Sequence, residues 1–299
     1  MALHDYLTGE VGEDWADGII SRREALRRLA LLGLSVSSAV ALLEACAPAG
    51  QTAGPGASAT ASPSAAASLA SVAPISGAAI TFPGPSVELR GFFAPAAGDV
   101  RGGMLVVHEN RGLNDHIRSV ASRLAGDGYA ALAIDLLSEE GGSEALAEGE
   151  VQAALSAAST ERLVGDMRAG LDELERRAPN AKLGAIGFCF GGGMVWALLD
   201  AGDPRLAAAI PFYGPAPSSP DFSETTAAVL GVYAELDGRV NASRPAAEAA
   251  LTAAGLEHEM KVYPGVDHAF FTDTGARYDA TQAAAAYADV LDWLARYLA

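Results

Sequence analysis

Residues 182–200, KLGAIGFCFGGGMVWALLD, decide the fold of this chain. An apolar run that ends at Phe188 predicts a buried strand, and the residues after the turn predict a helix, with Cys189 between them. Gly187 and Gly191 leave room for a turn so sharp that larger side chains would collide with the strand and the helix. The sulfur then lies at a helix N-terminus, which favours a thiolate. The stretch predicts an exposed, nucleophilic cysteine.

The segments around this turn alternate between strand and helix patterns. Short apolar runs such as GGMLVV, YAALAID and AAVLGVYA predict buried strands, and amphipathic segments between them predict helices. A predicted hairpin, AAITFPG and VELRGFFAP, precedes these elements. This order predicts one α/β domain over residues 76–299, with a mostly parallel, doubly wound sheet covered by helices on both faces.

Two further candidate catalytic residues follow the cysteine, each just after a predicted strand. Asp237 lies in YAELDGRV and His268 lies in YPGVDHAF. Nucleophile, acid and histidine in this order is typical of a hydrolase triad, in which the histidine takes the proton and the carboxylate fixes its tautomer. Since parallel sheets carry their sites at the carboxyl edge, the three side chains are predicted to meet there. Asp267 is an alternative acid, although its side chain is expected to point away.

Each of these residues also has a structural interpretation. Cys189 could pack as a small buried hydrophobe, Asp237 could be a turn residue and His268 a loop residue. A metal site is not predicted, because HENRG at residues 108–112 begins like a zinc-binding motif but lacks the second histidine. No Cys/His cluster has metal-site spacing, and no organic cofactor is predicted either.

The net charge of the chain argues against one class of binding partner. The 299 residues include 20 Lys and Arg against 37 Asp and Glu, a formal net charge of −17. This balance argues against nucleic acid, because phosphate backbones are bound by basic surfaces. A small-molecule substrate is the partner that the candidate catalytic residues indicate, and the oligomeric state is left open.

The first 75 residues do not have the pattern of a core. Arg22 and Arg23 precede an apolar run at residues 29–43, which is too short to span a bilayer but is typical of a twin-arginine export signal. Residues 1–46 are therefore predicted to be an export signal. The alternative is an ordinary amphipathic helix with Ser21 as its N-cap.

A cysteine and a low-complexity segment follow this run. Cys46 in LLEAC resembles a lipoprotein processing site, from which Glu44 departs because a small residue is usual there. Residues 47–75 are almost all Ala, Gly, Pro, Ser or Thr and predict a flexible tether. We expect a periplasmic or outer-face protein that meets the membrane only through its N-terminal signal or a lipid anchor. A disulfide between Cys46 and Cys189 is not expected.

The main domain resembles the dienelactone hydrolase family, the carboxymethylenebutenolidases, over nearly all of residues 80–299. The matching stretches are VVHENRGLNDHIR, GYAALAIDLL, GAIGFCFGGG, AELDGRV and GVDHAF. The resemblance implies an α/β-hydrolase fold with Cys189 as nucleophile, Asp237 as acid and His268 as base. It further implies that Glu109 is an extra carboxylate that helps to generate the thiolate when substrate arrives.

The resemblance also bears on the oxyanion and on the substrate. It implies an oxyanion hole made by the backbone N–H groups of Phe190 and Asn110. Family members that act on dienelactone hold its carboxylate with two arginines, but the matching neighbourhoods here, DLLSEEGG and HAFFTDTG, contain none. Arg111 and Arg277 lie nearby at other positions. Neutral or weakly charged esters are therefore the expected substrates.

The sequence thus predicts an exported cysteine hydrolase that cleaves an ester or lactone through an acyl-thioester on Cys189. Two alternatives stay open. An amidase-like or peptidase-like cysteine enzyme can carry the same turn, but Ala269 and Phe270 after His268 do not give the His-x-Glu of amidotransferases. A non-catalytic exported lipoprotein that keeps the fold as a binding module is the other.

Overall fold

The computed structural model describes residues 3–46, 75–147 and 149–299. The predicted tether at residues 47–75 lies, except for its last residue, outside the described residues.

Eight strands form one sheet in the order β1-β2-β4-β3-β5-β6-β7-β8. Strands β1, β2 and β4 pair antiparallel, and all the other neighbours are parallel. Every residue of β3, β4, β5 and β7 is buried, which requires cover on both faces. The predicted mostly parallel sheet is confirmed. The strands are β1 (Ala78–Pro83), β2 (Glu88–Ala94), β3 (Gly102–Val107), β4 (Tyr129–Asp135), β5 (Leu183–Phe188), β6 (Leu206–Phe212), β7 (Ala228–Ala234) and β8 (His258–Tyr263).

Ten helices accompany the sheet in the described residues. Side chains cap several of them: Asn114, Ser159 and Asp279 each accept the N–H of the residue three positions on. The helices are α1 (Leu3–Ala16), α2 (Arg22–Leu31), α3 (Val36–Cys46), α4 (Asp115–Gly126), α5 (Glu150–Ala157), α6 (Thr160–Arg177), α7 (Phe190–Asp200), α8 (Gly238–Asn241), α9 (Arg244–Ala254) and α10 (Ala280–Tyr297). The predicted helices of the main domain are confirmed, whereas α1, α5 and α8 were not predicted.

The expectation that the first 75 residues stay outside the core is wrong for residues 3–46. Leu7 and Val11 of α1, Leu29 of α2 and Leu43 of α3 are fully buried and belong to the same hydrophobic cluster as the sheet. The three helices contact one another, and α1 and α2 also contact α5. Burying these side chains stabilises the packed arrangement by about 1.5–3 kcal/mol each. The sequence did not indicate this packing, because a low-complexity segment follows the three helices.

The apolar run of the predicted signal is divided between two helices. Helix α2 ends at Leu31 and α3 begins at Val36, with Gly33 at a φ of 88° in the turn between them. Ser21 accepts the N–H of Glu24 at 3.2 Å, which is the cap that the amphipathic-helix alternative requires. Among the described residues no helix combines the length and the apolar character needed to cross a membrane. Export stays a prediction.

Candidate active site

The turn between β5 and α7 has the strained geometry that its glycines predict. Cys189 adopts a φ of 57°, a region that side chains rarely occupy. A Cβ on Gly187 would approach the Gly191 carbonyl oxygen to 2.2 Å, and one on Gly191 would approach the Val107 oxygen to 2.4 Å. Only glycine fits at either position, so the chain can turn sharply enough to place Cys189 at the end of the sheet.

The candidate acid and base meet beside this turn. Asp237 precedes α8, where its Oδ1 accepts the Val240 N–H at 3.0 Å, and its Oδ2 lies 2.6 Å from Nδ1 of His268. Both side chains are buried. Since Nδ1–H donates to Asp237, Nε2 is the nitrogen left for chemistry. A His268 ring nitrogen and the Cys189 sulfur lie within 4.8 Å of each other, so the structure brings all three residues together.

The alternative acid is excluded by its local geometry. Oδ1 of Asp267 accepts the backbone N–H of His268 at 2.7 Å, whereas the imidazole is bonded to Asp237. Asp267 therefore holds the loop that carries His268 and does not orient its ring.

Glu109 lies in the same cavity as Cys189 and His268. The sequence did not predict the residue that forms a hydrogen bond with its carboxylate. Thr272 donates its hydroxyl to Oε1 of Glu109 at 2.6 Å, and the Tyr213 ring stands edge-on to His268 at 5.1 Å between centroids. Neither residue belongs to a motif. A clue was available for Thr272 only in its position four residues after His268, on the same loop.

The two candidate oxyanion donors, Phe190 and Asn110, both lie next to Cys189 or its cavity. Phe190 is the first residue of α7 and Asn110 lines the cavity with Cys189. The loop before Asn110 is fixed by His108, whose Nε2 accepts the Leu136 N–H at 3.2 Å while Nδ1–H donates to the Glu109 carbonyl at 2.7 Å. Burial lowers the pKa of His108, which keeps it neutral. It is a structural residue of the site.

Helix α1 enters this site, and sequence reasoning missed it. The Tyr6 hydroxyl lies 3.1 Å from the Cys189 sulfur, and Oε2 of Glu10 lies 3.7 Å from it. Oε1 of Glu10 is 3.5 Å from Nε2 of His268. Cys189 is consequently only 3% exposed, so the expectation of an exposed thiol is wrong. The available signal was the i, i+4 spacing of Tyr6 and Glu10 in an acidic segment.

The protonation of the site follows from this burial. Burial raises the pKa of Cys189, and the charge of Glu10 raises it further against the lowering effect of His268. Burial by itself would lower the pKa of His268, but Glu10, Cys189 and the Asp237 bond together raise it well above its usual range. The two shifts share one cause, because the buried negative charge of Glu10 opposes the thiolate and favours the protonated imidazole.

Two arginines of the main domain bind the acidic residues of α1. Arg239 forms ion pairs with Glu10 and Glu13, the latter at 2.8 Å. Arg277 bonds Asp17 at 2.5 Å and Asp14 at 3.3 Å. Arg277 also lines the Cys189 cavity, as does Arg111. Arginines therefore reach the site from positions other than those of the family pattern.

One group of three potential metal ligands occurs in the described residues, and it coincides with this site. Atoms of Glu10, Cys189 and His268 lie within 4.8 Å of one another. Arg239 is bonded to Glu10, and its positive charge opposes a cation at the same oxygen. The chemistry of the cluster is better suited to proton transfer.

The cavity around the sulfur is small compared with a neighbouring one. The cavity shared by Cys189, Glu109 and His268 measures about 50 Å³. A second cavity of about 480 Å³ is lined by residues of α1, α6 and α7, with Tyr6 and Phe190 among them. Small-molecule sites usually measure about 300–1,000 Å³, so of these two cavities the second has the room for a substrate.

Comparison with known proteins places the main domain in a family. The model of the dienelactone hydrolase family matches residues 90–298. A candidate carboxymethylenebutenolidase from Synechocystis is 31% identical over 234 residues, which cover 71% of this chain and 93% of the relative. One from Escherichia coli K12 is 31% identical over 210 residues, 65% of this chain and 76% of the relative. The family match does not include α1–α3.

Solved structures give the same result for the fold. A candidate dienelactone hydrolase from Klebsiella pneumoniae superposes with a TM-score of 0.65 at 26% identity, covering 74% of this chain and 98% of that protein. A dienelactone hydrolase from Anabaena variabilis, at 21% identity and a TM-score of 0.59, covers 75% and 98% and supports the fold alone. The predicted α/β-hydrolase fold is confirmed.

Proposed function

Because the chain belongs to the dienelactone hydrolase family, we propose that it hydrolyses an ester or lactone with Cys189 as its nucleophile. The observation that carries the proposal is the bond between Nδ1 of His268 and Asp237, which leaves Nε2 on the side of the Cys189 sulfur. This is the arrangement that a nucleophile, a base and an orienting acid require.

In the first half of the reaction the thiol is acylated. His268 takes the Cys189 proton at Nε2, and the thiolate attacks the carbonyl carbon to form a carbon–sulfur bond and a tetrahedral oxyanion. Collapse of this intermediate breaks the bond to the leaving oxygen, which receives the proton from Nε2. Asp237 holds the imidazole in the tautomer that this transfer needs and stabilises the imidazolium.

In the second half water releases the product. Nε2 of His268 takes a proton from the water as its oxygen attacks the thioester carbon, and the sulfur leaves and regains the proton. The acid departs and Cys189 is regenerated. The N–H groups of Phe190 and Asn110 are proposed to donate to both oxyanions, a contribution of about 3 kcal/mol for each donor in other acyl-transfer enzymes.

Glu109 is proposed to assist ionisation of the thiol. Its carboxylate is held by Thr272 at 2.6 Å and lies in the Cys189 cavity. Burial raises the pKa of the Cys189 thiol in the resting site, and the negative charge of Glu109 raises it further. Movement of the thiol toward His268 when substrate binds would take it away from this charge, and its proton would pass to Nε2 of His268.

Two other functions have less support. A peptidase-like activity rests on solved acylaminoacyl peptidases, such as the one from Pyrococcus horikoshii, which at 15% identity share only the fold. A non-catalytic binding module would not need Asp237 and His268 to be paired beside Cys189.

Export to the periplasm or to an outer membrane face is also part of the proposal. It is supported by Arg22 and Arg23 ahead of the apolar run at residues 29–43 and by Cys46 after it. Fractionation of cells and the mass of the mature N-terminus would test it.

A panel of esters and lactones assayed with the purified full chain tests the catalytic proposal. We expect turnover of at least one activated ester, no turnover by Cys189→Ala, and a large loss in Cys189→Ser, because a hydroxyl ionises far less readily than a thiol. A serine variant with the activity of the parent would contradict the assignment of the thiol as the nucleophile.

A further inference from the structure

Helix α1 occupies the place where the substrate of the proposed reaction must bind. A reacting ester needs its carbonyl carbon in contact with the Cys189 sulfur and its leaving oxygen within reach of Nε2 of His268. The carboxylate of Glu10 already fills this position, with one oxygen 3.7 Å from the sulfur and the other 3.5 Å from Nε2. A carboxylate has the planar shape of the ester group and of the acid product.

Tyr6 closes the site from the preceding turn of the same helix. Its hydroxyl lies 3.1 Å from the sulfur, and its side chain is 1% exposed. Its side chain also lines the cavity of about 480 Å³, whereas the cavity that contains Cys189 measures about 50 Å³. With α1 in place the space at the sulfur is therefore well below the usual size of a small-molecule site, about 300–1,000 Å³.

Ion pairs hold α1 in this position. Arg239 contacts Glu10 and Glu13, lies 4.6 Å from the Tyr6 ring and donates to the Tyr6 carbonyl at 3.4 Å. At the end of the helix Arg277 binds Asp14 and Asp17. Four acids at α1 and its end, Glu10, Glu13, Asp14 and Asp17, thus have partners on the main domain.

The protonation of the site agrees with a resting state. The charge of Glu10 helps to raise the pKa of the Cys189 thiol and the pKa of His268. Removal of that charge should favour the thiolate, which is the nucleophilic form, and the neutral imidazole, which can accept the thiol's proton.

We propose that α1 is an intramolecular inhibitor that fills the ester subsite with Glu10 and Tyr6, and that it must leave before substrate can bind. The inference rests on the proposed function, because it takes Cys189 and His268 as the reacting groups. The opposite possibility is that α1 is a permanent wall whose Tyr6 and Glu10 take part in turnover.

Charge reversal at the base of α1 distinguishes the two. Glu13→Lys combined with Asp17→Lys places lysines against Arg239 and Arg277 without altering a group at the sulfur. The matched control, Asp5→Lys with Glu44→Lys, makes the same change in net charge at two exposed positions of α1 and α3. All variants carry Cys46→Ser, so that iodoacetamide reports on Cys189 alone.

We expect the Glu13/Asp17 variant to be alkylated and to hydrolyse an activated ester at least tenfold faster than the parent and the control. A parent that is alkylated as fast as this variant would overturn the proposal, since its thiol would already be open. Slower ester hydrolysis by a variant with unchanged alkylation would also overturn it, since α1 would then belong to the working site.

A cut between the helices and the main domain tests the proposal without altering α1. A specific protease site is inserted within residues 47–74 of the full chain, which is then cleaved and diluted. We expect alkylation of Cys189 to accelerate on dilution as α1–α3 dissociate, and an unchanged rate at all concentrations with complete cleavage would count against the inhibitor. Accelerated alkylation with no ester hydrolysis by any form would support the inhibitor and reject the proposed function.

Discussion

At the scale of the residue, the glycine turn places Cys189 at the edge of the sheet, where α1 packs against it. The positive φ of 57° aims the sulfur out of the core, and Tyr6 and Glu10 meet it there. A side chain at this position can be contacted by distant segments of the chain, as it is here by α1. The chemistry of the thiol is therefore set by a residue 179 positions away as much as by its own turn.

The pH dependence of Cys189 alkylation should report the charge of Glu10. Because burial and Glu10 raise the pKa of the thiol, reactive thiolate should appear in the parent only above the usual pH range for cysteine. Glu10→Gln removes the negative charge, so its alkylation profile should shift to lower pH. The profile is measured by mass spectrometry in a Cys46→Ser background, and a shift to higher pH would contradict the assignment.

Asp237→Asn should reduce turnover while leaving the nucleophile reactive. The amide cannot hold Nδ1–H of His268 as the carboxylate does at 2.6 Å, and the imidazole loses its tautomer preference. We expect kcat to fall by about 10²–10⁴-fold. Leu236 is the neighbouring exposed position, so Leu236→Asn is a matched control that should keep the activity of the parent.

At the scale of the element, burial explains which parts were predictable. Strands such as β3 and β5 are buried on both faces, and their continuous apolar runs stand out in the sequence. Helix α1 contains Gly9 and Gly12, which lower helix propensity, and it buries the charged residue Glu10. Close packing requires the second glycine, because a Cβ on Gly12 would approach the Cys46 sulfur to 2.9 Å.

Removal of residues 1–74 should leave a folded main domain of lower stability. The sheet keeps all eight strands, but the hydrophobic cluster loses the buried side chains of Leu7 and Val11. Each kcal/mol lost should lower Tm by about 2–4 °C in a domain of this size. Calorimetry should still give one cooperative transition, and loss of that transition would mean that α1–α3 are an integral part of the domain.

At the scale of the whole molecule, the acidic N-terminal helix is matched to two arginines of the main domain. The chain carries a net charge of −17, yet Arg239 and Arg277 both face the site. In the closed state their charges are offset by Glu10, Glu13 and Asp14 of α1 and by Asp17, which directly follows the helix.

The enzyme should prefer neutral esters. We expect kcat/KM for the methyl ester of a dienelactone to equal or exceed that for the free acid, because the two neighbourhoods that carry arginines in dienelactone-binding family members, DLLSEEGG and HAFFTDTG, contain none here. A preference for the free acid of more than tenfold would show that arginines at other positions, such as Arg111 or Arg277, bind a substrate carboxylate.

The sequence by itself determined the sheet, the turn and the three candidate catalytic residues. Those features depend on local pattern: buried runs, glycines that only a sharp turn requires, and side chains placed just after strand ends. Asp237 and His268 could be placed together because the carboxyl ends of parallel strands meet at one edge.

Only the tertiary structure decided the state of the site. That Tyr6 and Glu10 lie against Cys189, that Thr272 holds Glu109 and that Arg277 binds Asp17 are contacts between residues 163 or more positions apart. No local pattern encodes such contacts, because they depend on how α1 docks on the finished domain. Docking is governed by the shape and charge of two folded surfaces, which exist only after each has formed.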